Sequence, residues 1–110
     1  MANEEDFAMI NTIEILKIVK IIRGKINDDT DIVWTKYESA KILQAELDAD
    51  IQKLEQGDLS VLPKLNLMFL PTSTFQEISI ANDWEQEFIS LSEIFDDHYK
   101  KLISNKSGLE

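Results

Sequence analysis

Thr12-Ile13-Glu14-Ile15-Leu16-Lys17-Ile18-Val19-Lys20-Ile21-Ile22 is the stretch on which the fold turns. Five isoleucines and a valine favour a strand. A half-buried strand would alternate apolar and polar residues, whereas the charges at Glu14, Lys17, Lys20 and Arg23 recur every third residue, a helical interval. The stretch therefore reads as the middle of a helix from about Glu4 to Arg23. Glu4, Glu5 and Asp6 at its start and Lys20, Arg23 and Lys25 near its end suit the helix dipole. Phe7, Ile10, Ile13, Leu16, Ile18, Val19, Ile21 and Ile22 cover most of the circumference, which predicts a helix central to the fold.

Working outward, Asn27-Asp28-Asp29-Thr30-Asp31 is a turn rich in helix-capping residues. A second helix is expected from about Ile32 to Gln56, closed by Gly57. Its seam is Val33, Tyr37, Ala40, Leu47, Ile51 and Leu54, with Gln44 counted between Ala40 and Leu47. Asp58 is placed to cap a short helix from Leu59 to Phe69, with Pro63 in its first turn, and Pro71 stops it at Leu70. Thr74 with Glu77 matches a capping box, and Asp83 with Gln86 matches one more loosely. Phe75 to Ile80 fits either a helical turn or a short extended piece. The last helix is expected from about Trp84 to Ile103, with Trp84, Phe88, Leu91, Phe95, His98 and Leu102 at 4-3 spacing.

The fold class expected is all-α: a single-domain helical bundle over residues 1–104, three long helices and one short, in up-and-down order. Residues 105–110 are expected to form a flexible tail. Leu109-Glu110, after Ser107-Gly108, reads as a cloning scar.

Composition narrows the chemistry. The 110 residues include 21 Asp and Glu against 11 Lys and Arg, one His and no Cys, a formal charge of −10. That charge repels nucleic acid and anionic membrane and favours a cationic partner. Without cysteine there is no disulfide, thiolate nucleophile or sulfur-ligated metal, which suits a reducing compartment. The acidic start lacks the positive region of a secretory signal, and the run Ile13 to Ile22 is too short and too charged to span a bilayer. A soluble, cytoplasmic protein is expected.

No motif assigns a cofactor or a metal. Glu-x-x-His is absent, since Phe95 stands three residues before His98. Asp29-Thr30-Asp31 begins like a calcium loop but continues with Val33 and Thr35, without the central glycine. No serine is paired by the sequence with His98, which reads as a half-buried histidine near a helix end. The chain is read as a non-enzyme.

Charge distribution says more. Lys17, Lys20, Arg23 and Lys25 cluster in and just after the first helix. Residues 26–60 hold nine acids and three bases, and residues 61–99 hold seven acids and one base, Lys64, so the later helices are expected to present a broad negative surface. Such a surface accelerates association with a basic protein and weakens with salt, although solubility explains it equally well. The candidate partner-binding residues are Glu46 and Asp50, four apart on one face, Asp83, Glu85 and Glu87, and Asp96 and Asp97, with Trp84 as an aromatic anchor. Trp34 is a second aromatic of interest, and core filling is the default for both tryptophans.

In size, charge and helix pattern the chain resembles the class of bacterial immunity and antitoxin proteins, a resemblance carried by no specific motif. It implies a small acidic binding protein that masks or inhibits a basic protein partner such as a toxin. The alternative is a helical homo-oligomeric assembly or adaptor module, with the apolar surface of helix one or the seam of helix two building a homodimer.

Overall fold

The computed structural model describes residues 4–108, with side chains from Asp6 to Ser104. The described residues are helical or looped, with five α-helices and no strand. These are α1 (Glu4–Gly24), α2 (Ala40–Glu55), α3 (Leu62–Phe69), α4 (Thr74–Ala81) and α5 (Glu85–Gly108), with a 3-10 turn at Leu59–Val61 ahead of α3. The all-α bundle expected from the sequence is the fold observed.

Helix α1 packs against α2 on one side and α5 on the other. Both neighbours run antiparallel to it. Arg23 meets Asp48 and Lys20 meets Glu55 on α2, while Asn11 meets His98 and Lys25 meets Glu87 on α5. Asn11, Ile15, Ile18, Val19 and Ile22 form its buried face, extended by Ile26 beyond its end. The helix is central in its contacts, yet Met9, Ile10, Ile13 and Ile21 remain between 43% and 56% exposed. The short helices α3 and α4 close one flank, each packing against the other and against α5.

Phe69 is the hub of that flank. Its ring stacks on Phe95 at 4.1 Å between centroids and meets Phe75 edge-on at 4.9 Å, with Phe88 at 6.2 Å. Offset and edge-on ring contacts add to the area these side chains bury. Phe75 and Phe95 are fully buried. The chain reaches this geometry because Pro71 prevents α3 from continuing. Leu70 is extended, Thr72 takes a positive φ of 61°, and the Thr72 N–H donates to Gln76 Oε1 at 2.6 Å. The next helix therefore starts at once.

Several expectations are corrected. Helix two begins at Ala40 rather than Ile32, because Ser39 is extended and its Oγ accepts the Ile42 N–H as N-cap. Residues 32–39 instead satisfy their backbone through loop side chains: Asp31 accepts from Val33, and Thr35 accepts from Tyr37. The buried face of α2 is Ala40, Leu43, Leu47, Asp50 and Leu54, so Leu43 and Asp50 stand where Gln44 and Ile51 were expected. The segment near 75–80, open between a helical turn and a short extended piece, is the helix α4, so two short helices accompany the three long ones, and Ser73 rather than Thr74 occupies the cap position. Helix α5 also carries its backbone past Ile103 to Gly108. Leu109 and Glu110 lie outside the described residues.

Phe95→Ala removes the ring that stacks on the hub. A buried Phe→Ala change costs about 3–5 kcal/mol, a large part of a small domain's stability. Urea unfolding followed by circular dichroism is expected to show that loss for Phe95→Ala and almost none for Leu67→Ala, an exposed side chain of α3.

Candidate interaction surface

The candidate residues separate into three places. Glu46 and Asp50, expected as partner-binding residues, are instead taken up within the fold, Asp50 buried and Glu46 half-buried. Asp50 is 4% exposed, and Lys64 Nζ of α3 reaches its Oδ2 at 2.5 Å and Glu46 Oε2 at 3.4 Å. Tyr37 Oη donates to the same Glu46 oxygen at 2.5 Å. A carboxylate buried this deeply is tolerable only when paired. Lys64 does this, clamping α3 to α2. Burial, reinforced by the hydrogen bond to Glu46 and by the nearby charges of Glu46 and Asp50, pushes the Tyr37 hydroxyl well above the ordinary tyrosine range.

Asp96 and Asp97 lie on the exposed flank of α5, each paired one turn along, with Lys100 at 2.8 Å and Lys101 at 3.0 Å. Asp96 is roughly 13 Å along the helix axis from Glu87, at 1.5 Å per residue. The two groups do not form one surface.

Asp83, Trp84, Glu85 and Glu87 do come together, at the corner between α4 and α5. Asn82 ends α4, and Asp83 follows with a positive φ of 66°, a conformation aspartate tolerates better than most residues. The Trp84 N–H donates back to the Ser79 carbonyl at 2.8 Å, which tightens the reversal. Trp84 is half-buried against the core, and its outer side lines a shallow depression with Ser79, Ile80, Asp83 and Glu87. Lys25 lies 5.7 Å from the centre of the Trp84 ring and pairs with Glu87. One base is thus set among the acids, shared between a cation–π contact and an ion pair.

The loop from Asn27 to Tyr37 is fastened to this corner. Asn82 Oδ1 accepts the Asp31 N–H at 3.0 Å, and Asn82 Nδ2 donates to the Asp31 carbonyl at 2.9 Å and the Ile78 carbonyl at 2.8 Å. Within the loop, Asn27 Oδ1 accepts from Asp29, and the buried Thr30 accepts from Asn27. This bonding holds Trp34 and Val33 outward, 74% and 68% exposed. Core filling fails for Trp34 because the residue precedes α2 and never reaches its buried face. Ile80, 49% exposed, adds a third apolar side chain on the corner. Asp28, Asp29, Asp31 and Asp83 are all exposed and have no ion-pair partner among the described residues. Sequence reasoning missed Val33, Ile80 and the pinning role of Asn82, since a link across 51 residues leaves no periodic signal.

His98 meets Asn11 Oδ1 through Nδ1 at 2.7 Å. Asn11 gives its amide N–H to the Phe7 carbonyl, so its oxygen faces the ring and His98 is the donor. Among the described residues no three His, Asp or Glu side chains stand close enough to hold a metal ion, and no helix is long and apolar enough to cross a membrane. Compared with protein-family models, curated proteins and solved structures, the chain matches none.

The Tyr37 environment makes a pH prediction. A folded-state pKa raised above the unfolded value of about 10 leaves stability intact below that pH and removes it as the pH climbs toward the folded value. Alkaline titration of the unfolding free energy is expected to fall more steeply for the wild type than for Tyr37→Phe, starting near pH 10. Equal slopes would mean that Tyr37 titrates as freely in the folded protein as in the unfolded chain.

Proposed function

We propose that the chain is a small, acidic, non-enzymatic binding protein that masks a basic protein, as immunity and antitoxin proteins do. Its contact surface is the corner where the Trp34 loop meets α4 and α5. The observation that carries this reading is Trp34 itself, largely exposed yet held by a hydrogen-bonded loop among unpaired carboxylates. A large aromatic in such a setting offers the anchor that protein interfaces concentrate their energy on. Because the loop is pinned by Asn82, little ordering entropy remains to be lost on binding. Asp28, Asp29, Asp31 and Asp83 supply the complementary charge, and the overall charge of −10 steers a cationic partner from a distance.

The non-enzymatic part of the reading rests on His98, whose Nδ1 is committed to an asparagine rather than to a nucleophile. A cytoplasmic setting accords with the absence of cysteine. Of the sequence candidates, Asp83, Trp84, Glu85 and Glu87 belong to the proposed surface. Glu46 and Asp50 serve the interior instead, and Asp96 with Asp97 faces elsewhere.

The test is affinity capture on the immobilised chain from a lysate of the source organism, at low and high salt, read by mass spectrometry. The expected result is one basic protein retained at low salt and shed at high salt. Trp34→Ala and the double charge reversal Asp83→Lys, Glu87→Lys are each expected to abolish retention, whereas Asp97→Lys leaves it intact. Trp34→Ala removes an exposed side chain and is expected to change stability by no more than about 0.5 kcal/mol, so lost capture would not reflect unfolding. Retention indifferent to the corner variants would overturn the assignment.

A further inference from the structure

Helix α1 offers an outward face that neither α2 nor α5 covers. Asp6, Met9, Ile10, Ile13, Lys17 and Lys20 are all exposed and recur at intervals of three and four, which places them on one side of the helix. The face is graded in charge: acidic at Asp6, apolar through Met9, Ile10 and Ile13, and basic at Lys17 and Lys20. Such a gradient is self-complementary when reversed. In an antiparallel pair of identical helices with Ile13 at the two-fold axis, residues whose numbers sum to 26 face one another. Asp6 then lies opposite Lys20, and Met9 opposite the aliphatic stem of Lys17. A parallel pair would instead set like charges against each other at both ends.

We infer that this face pairs with its own copy in a second chain, antiparallel and centred on Ile13. The two-fold symmetry makes the contact isologous and closed, so it yields a dimer rather than a filament. Asp6, like the two lysines, already has an interaction within its own chain, and at exposed positions such present partners do not obstruct the pairing. Lys17 pairs with Glu14 at 3.2 Å and Lys20 with Glu55 at 3.1 Å, and all four side chains are well exposed, the class of ion pair that exchanges at little cost.

The chain contains no cysteine, so a single introduced thiol reports on its own position alone. The experiment treats purified Ile13→Cys, Asp6→Cys and Lys20→Cys variants with a short thiol-to-thiol cross-linker, with folding verified by circular dichroism. Ile13→Cys is expected to cross-link to itself, because its two copies meet on the axis. Asp6→Cys and Lys20→Cys are each expected to stay uncross-linked alone and to cross-link when mixed. Sedimentation of the wild type is expected to show the mass of two chains at high concentration, lost in Ile13→Lys. The charge swap Asp6→Lys, Lys20→Glu restores pairing that Lys20→Glu alone weakens. Cross-linking of Lys20→Cys with itself would overturn the antiparallel arrangement. A wild type that stays monomeric at every concentration, with no cross-link from Ile13→Cys, would overturn the pairing altogether.

Discussion

Four phenylalanines meet where α3, α4 and α5 converge, and the position of every other feature on that side of the molecule follows from their contact. Phe69 closes α3 just before Leu70-Pro71, and a chain that cannot continue as a helix must turn there. Phe75 returns onto Phe69 edge-on within the first turn of α4, which fixes the direction of that helix. Phe88 and Phe95 then dock α5 against the same ring. With both helices held at this end, the connection Asn82-Asp83-Trp84 has little freedom. It bends through a left-handed aspartate, and Asn82 and Trp84 emerge where they capture the loop and Lys25. The surface chemistry of the corner is thus a consequence of ring packing inside.

Helix α5 was legible in the sequence because its apolar residues keep a 4-3 rhythm that solvent and core impose on an amphipathic helix, and α1 because its charges recur at a helical interval. The rhythm misled at Val33 and Tyr37, which fit the seam of helix two in spacing yet precede the helix. Local side chains decided otherwise. Asp31, Thr35 and Ser39 each offer an oxygen to a backbone N–H, giving the chain an alternative to helix up to the Ser39 cap. Phe75 to Ile80 remained ambiguous because so short a helix owes little to propensity and much to what it packs against, here Phe69 and α5.

The candidate site was legible in part for a similar reason. Acids at the start of α5 are adjacent in sequence, so a local reading finds them together. Glu46 and Asp50 read as partner-binding residues because carboxylates seldom enter a core, and the burial of Asp50 depends on a residue in another helix. The trace of it was Lys64, the one base among residues 61–99, whose isolation in an acidic stretch reflects its task of neutralising Asp50. The bases of α1 behave likewise. Arg23 and Lys25 are spent on Asp48 and Glu87, stitching α1 to α2 and to α5, so the basic cluster of the sequence is in large part an internal fastening.

The two proposed surfaces do not compete for the same residues, and the geometry of α1 explains why. Its outer face is centred on Ile13, while the corner lies beyond its C-terminal end, where Lys25 reaches Trp84 and Glu87. In an antiparallel pair the C-terminal ends of the two α1 helices point in opposite directions, so the two Trp34 corners stand at opposite ends of the assembly, each open. A pair of this kind presents two identical acidic surfaces to separate basic partners, and binding at one end perturbs the electrostatic field at the other only at low salt. At physiological ionic strength the Debye length is about 8 Å, far shorter than the roughly 31 Å length of a 21-residue helix. The two ends therefore act independently under those conditions, and pairing would raise the number of contact surfaces without altering the affinity of either.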